Sequence, residues 1–83
     1  NNGAGTRWNG WPFGITYASI EENEAAKSAK PGTILSVDAV HGFTIATRDG
    51  KAINAEVVYC EEGFYPGHSM RLFGLKQHDQ LSP

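Results

Sequence analysis

Three histidines, one cysteine and a set of carboxylates are the side chains in this 83-residue sequence that could do chemistry. His41, His68 and His78, with Cys60, Glu61 or Glu62 as further ligands, raise the question of a metal. Zinc sites pair their ligands a few residues apart, and no such pairing occurs here. Ordinary surface histidines are expected, with no metal and no cofactor. Cys60 and His68 could form a nucleophile and base. A reactive thiol needs a neighbour that lowers its pKa, and the adjacent Glu61 and Glu62 act in the opposite direction. Glu56, Glu61 and Glu62 could divide acid and base roles, but nothing else in the sequence completes a hydrolase, so a solvated acidic rim is the simpler reading. The expectation is a chain with no catalytic residues of its own.

Binding chemistry is better represented. Trp8 and Trp11 flank Asn9-Gly10, and exposed rings of this kind can stack a base, a sugar or another flat ligand. The same rings can instead close one end of a barrel, and this is the favoured reading because Trp is usually largely buried. Phe64, Tyr65 and His68 lie in a Gly/Pro-rich stretch. They serve either as binding residues on a loop or as a hydrophobic plug. The cations are scattered singly, and the net charge is -2 with a pI near 5.8. Nucleic-acid binders usually carry a basic stripe. None is visible in linear order, although folding can gather side chains onto one face.

The elements that must position these residues are short and separated by turn signals, the pattern of a small barrel or sandwich. Trp8-Asn9-Gly10-Trp11-Pro12-Phe13-Gly14 reads as a structured loop. Ile15 to Ile20 alternates as a strand. Glu21 to Lys30 lacks an apolar stripe and reads as a solvated loop closed by Pro31-Gly32. Thr33 to Val37, Gly42 to Arg48 and Ala52 to Tyr59 form an antiparallel meander, with Asp49-Gly50 as its tight turn. Glu61 to His68 reads as a loop. Ser69 then caps a helical turn over Met70 to Phe73, which Gly74 ends in the left-handed conformation. Leu75 and Leu81 are the apolar anchors of the last stretch.

The composition, 40% hydrophobic and 19% charged, belongs to a globular chain, and the length allows a single domain over 1–83. Residues 1–7 are expected to be flexible. No apolar run approaches the roughly 20 residues of a membrane helix. The polar opening, Asn1-Asn2-Gly3-Ala4-Gly5-Thr6, has no signal-peptide character. With a lone cysteine, these features suggest a soluble, cytoplasmic protein.

Several motifs, taken in order, resemble the C-terminal domain of the methionyl-tRNA formyltransferase family and its relatives. Arg7-Trp8-Asn9-Gly10-Trp11-Pro12-Phe13-Gly14 looks like a variant of the family's opening Arg…Asn-Pro-Trp-Pro-Gly-Ala, with Gly10 where a Pro is usual and Phe13 intervening. Pro31-Gly32-Thr33-Ile34 is similar to its strand entry. Gly42-Phe43-Thr44-Ile45-Ala46-Thr47 before Asp49-Gly50 resembles a further strand. Gly74-Leu75-Lys76, then Asp79 and Leu81, resemble its close. The resemblance implies an all-β fold, an open antiparallel β-barrel of OB-like topology with a small helical turn near the C-terminus. It also implies an accessory role beside a formyltransferase catalytic domain. The family's catalytic Asn, His and Asp have no counterpart here. If tRNA is the partner, Arg7, Lys27, Lys30, Arg48, Lys51 and Lys76 are the expected phosphate contacts, with Trp8 or Trp11 stacking. The alternative is a β-barrel that binds a protein partner or self-associates without binding nucleic acid.

Overall fold

A computed structural model describes residues 4–82. Seven strand and helix elements precede a 3-10 helix: β1 (Ala4–Trp8), β2 (Trp11–Glu21), α1 (Glu24–Ser28), β3 (Ile34–Asp38), β4 (Gly42–Ala46), β5 (Ala52–Cys60) and β6 (Gly63–Pro66), then the 3-10 helix at Gly67–Phe73. The sheet runs β1-β2-β5-β4-β3, and β6 pairs with β5. All pairings are antiparallel. The result is the expected open, OB-like barrel with a short helical segment near the C-terminus.

The meander forms as the alternation requires. Ile34, Phe43, Ile45, Ala55 and Val58 join Phe13, Met70, Leu75 and Leu81 in one buried cluster. β4 is buried along its whole length because it is covered on both sides. Its Phe43 and Ile45 enter the core, while Ala46 meets Ala26 and Ala52 in a second small cluster. Register shifts between Ile15 and Ala18 let the long β2 bend from β1 onto β5, as bulges do.

The stretch expected as a solvated loop contains α1. Asn23 caps it, its side-chain oxygen accepting from the Ala25 N–H at 2.9 Å. The helix has no conventional apolar stripe. It docks through Ala26, because small partners at Ala46 and Ala52 permit close approach. The stretch expected as a loop around Phe64 and Tyr65 is β6, paired with β5 from Val57↔Pro66 to Cys60↔Gly63. Ala4 to Arg7, within the lead-in expected to be flexible, belong to β1; residues 1–3 lie outside the described residues. Ser69 does not cap the 3-10 helix. It lies inside it and donates its hydroxyl back to the Pro66 carbonyl at 2.7 Å. Gly74 ends the segment at φ 105 as anticipated.

The last residues link the two edges of the sheet. Against β3 and its entry, the His78 and Leu81 N–H groups donate to the carbonyls of Ile34 and Gly32, and the Ile34 N–H donates to Asp79. Against β1, Arg7 and Ser82 exchange backbone hydrogen bonds of 2.8 and 3.0 Å. The tail thereby pairs edge positions, at Arg7 on β1 and at Thr33–Ile34 at the entry to β3, that an open barrel would otherwise leave free. Leu81 anchors the link from inside the core.

Candidate functional site

Trp8-Asn9-Gly10-Trp11 is a hairpin rather than a loop. Asn9 at φ 53 and Gly10 at φ 81 both occupy the left-handed region. This matches the two-residue turn whose twist suits antiparallel strands, for which Asn-Gly is the preferred sequence. Trp8 and Trp11 are therefore directly opposed, and opposed residues project from the same face. That face is the core side, since Phe13 lies two residues further along it.

Both indoles pack against the core while lining a surface hollow of about 250 Å³ with Asn9 and Phe73. The Trp11 ring centroid lies 5.8 Å from Phe13 and 6.1 Å from Phe73, and Phe73 meets Tyr65 edge-on at 6.4 Å. Phe73 is 54% exposed and Leu72 beside it 81%. Closure of the barrel end and a presented aromatic surface are thus two aspects of one arrangement. Trp8 is held in place from the tail: its Nε1–H donates to Asp79 Oδ2 at 3.1 Å.

Burial pushes the Asp79 carboxyl up. Hydrogen bonds from the Lys76 N–H and from Trp8, with the charge of the nearby Lys76 ammonium, outweigh that effect and leave the group below the usual aspartate value. A carboxylate lowered in this way stabilises the fold above the unfolded value, and the contribution is lost as pH falls through the folded one. The Trp8 clamp should accordingly hold at neutral pH and release only in acid below the ordinary aspartate range. Asp79→Ala should shift tryptophan emission to the red at neutral pH and remove about 2 kcal/mol of stability. Emission identical to the native protein across the pH range would mean that Asp79 does not hold Trp8.

The structure separates the other expected binding residues. Tyr65 joins the aromatic end through Phe73. Phe64, its neighbour on β6, is 70% exposed and stacks near Tyr59 at 5.9 Å. His68 lines a different hollow together with His41. The expected cations, all exposed, also divide. Lys76 lies 3.5 Å from Asp79, and so belongs to the aromatic end. Arg7 is opposite Pro12 on the hairpin. Lys27 pairs with Glu24 at 3.1 Å and packs beside Gly50, in the loop that carries Arg48 and Lys51. Lys30 follows α1 and accepts the Thr33 N–H at its carbonyl.

Two participants were missed. Phe73 read only as part of a helical turn, and Asp79 only as part of the closing stretch. Among the described residues, no group of three or more His, Cys, Asp or Glu is placed to hold a metal ion. Cys60 is half-buried and donates to Glu62 Oε1 at 3.2 Å. No helix among the described residues is long and apolar enough to cross a membrane.

No protein-family model matches the chain, and no curated protein sequence matches it either. The formyltransferase resemblance rests on its motifs alone.

Proposed function

We propose that this domain is a non-catalytic binding module whose contact surface is the aromatic end of the barrel, and that its ligand is tRNA presenting an unpaired base. The observation that carries this reading is the hollow between Trp8, Trp11 and Phe73, rings held by the core on one side and open on the other. A single base can stack there, and stacking on such platforms contributes about 1–3 kcal/mol per base. Arg71 and Lys76 bracket Phe73 in the chain, and Lys76 shares Asp79 with Trp8, so cations accompany the rings. The lone cysteine fits a cytoplasmic setting, and the motif resemblance suggests a place beside a formyltransferase catalytic domain.

Both tryptophans of the sequence belong to this surface, so intrinsic fluorescence reports on it directly. Titration with bulk tRNA at low salt should quench the emission, and the affinity should fall as salt rises. Lys76→Ala should reduce the slope of log affinity against log salt by about 0.7, the value for one phosphate contact on a single strand. Trp11→Ala should weaken binding by about 1–3 kcal/mol. No response at low salt would exclude tRNA and leave a protein partner as the reading for this surface.

A further inference from the structure

The outer face of the β1–β2 hairpin carries a hollow of about 520 Å³. Its floor is a cross-strand row, with Gly5 on β1 opposed to Gly14 on β2, and Gly14 opposed to Tyr59 on β5. Gly14 follows the core residue Phe13 and Tyr59 follows the core residue Val58, so strand alternation turns this row outward. The tip of the Tyr59 ring fills the space above Gly14, and that packing accounts for the second glycine. Gly5 has no such account. Its φ is not in the left-handed region, and no described atom lies within 4 Å of the Cβ it would add. Glycine weakens a strand. Where neither a turn nor crowding requires it, bare strand backbone marks a place that a ligand approaches closely. Arg7 and Pro12 are the next outward-facing pair toward the turn, and Glu61 follows the end of β5 at the rim. Arg7 and Glu61 are exposed, and neither side chain has an ion pair or hydrogen bond among the described residues.

We propose that this hollow binds a neutral pyranose sugar, with one ring seated on the bare backbone at Gly5 beside Tyr59. Arg7 only donates hydrogen bonds and the Glu61 carboxylate only accepts them, whereas a hydroxyl does both. A single polyhydroxylated ring can therefore satisfy the two together. Its C–H surface covers Tyr59 and Pro12, and a phenol ring with a polar tip suits a ligand that is itself amphipathic. The one cation and one carboxylate of the lining balance. A phosphate would meet Arg7 but be set against Glu61, and a simple ammonium ligand would face the reverse conflict. A zwitterion such as a free amino acid also balances these charges, and the test separates it from a sugar.

The test is amide chemical-shift mapping on the full chain with cellobiose and with lactose, neutral disaccharides that differ in the orientation of one hydroxyl. Phenylalanine and inorganic phosphate serve as comparisons. Saturable shifts at Gly5, Arg7, Gly14 and Tyr59 are expected with at least one disaccharide and with neither comparison. Gly5→Val fills the floor without strain or crowding, so it should abolish these shifts while thermal unfolding stays close to that of the native protein. Arg7→Gln and Glu61→Gln should each weaken binding by about three- to tenfold. The proposal is overturned by an absence of shifts with both disaccharides near their solubility limits, or by shifts confined to other surfaces. It is equally overturned by an equal response to phenylalanine or phosphate, or by undiminished binding in Gly5→Val. Neither outcome bears on tRNA binding at the aromatic end, which the tryptophan titration tests separately.

Discussion

Gly67→Ala should remove about 3 kcal/mol of stability, a large part of what holds a small domain together. β5 changes partner along one edge, pairing with β4 as far as Ala55 and with β6 from Val57. Gly42 from the start of β4 and Gly67, the first residue of the 3-10 helix after β6, converge on the Ala55 carbonyl at this junction. A Cβ built on either glycine would fall 2.0 Å from that oxygen. A backbone atom cannot swing aside as a flexible side chain can, so the strand junction itself must open. Thermal unfolding should shift downward by roughly 12–24 °C, at about 4–8 °C per kcal/mol for a domain of this size. Gly5→Ala is the matched control. Nothing lies within 4 Å of the Cβ it would add, and its effect should stay within about 0.5 kcal/mol. If the two variants melt together, the junction is not as crowded as described.

Ending the chain before His78 should abolish cooperative unfolding. That change deletes the backbone hydrogen bonds to Gly32, Ile34 and Arg7, the Trp8–Asp79 contact and the Leu81 anchor together. It also leaves β1 and β3 as bare edges, a recognised route to aggregation. Leu81→Ala isolates the packing contribution: truncating a buried leucine costs about 2–5 kcal/mol, and the tail retains its backbone bonds. A truncated chain that stays monomeric, with a dispersed amide spectrum and a sharp thermal transition, would show that the barrel does not need its closing segment.

The parts of this fold that could be read from the sequence are those governed by local pattern. The meander was accessible because Ile34, Phe43 and Ile45 alternate with polar partners and Asp49-Gly50 marks its turn. The hairpin at Trp8-Asn9-Gly10-Trp11 was hidden although Asn-Gly is a strong hairpin signal. The Gly and Pro of Trp8 to Gly14 suggested a structured loop, yet the structure accommodates Pro12 and Gly14 in β2. α1 was obscured because its buried side is a single alanine, which carries little hydropathic signal. β6 ends on Pro66, and its Gly and Pro content suggested a loop.

The site divides along the same line. Trp8 and Trp11 stand out by residue type, and their proximity follows from the turn. Phe73 and Asp79 reach them only through tertiary packing, Asp79 from 71 positions away. Phe64 and Tyr65 looked like one aromatic unit. Adjacent residues on a strand face opposite ways, so recognising β6 would have separated them.

The tail's position also bears on when the domain can form during synthesis. β1 precedes the other described strands in the chain, and Arg7 at its outer edge pairs with Ser82, some 75 residues later. Bringing together residues some 75 positions apart costs about 4 kcal/mol of chain entropy before any contact offsets it. Contacts at such separation are characteristic of slow folders. While the domain emerges from the ribosome, the meander can assemble from neighbouring segments, but β1 keeps a free edge until the closing residues follow. Its hydrogen-bonding groups then await the arrival of Ser82, and a chaperone that shields strand edges would act in that interval.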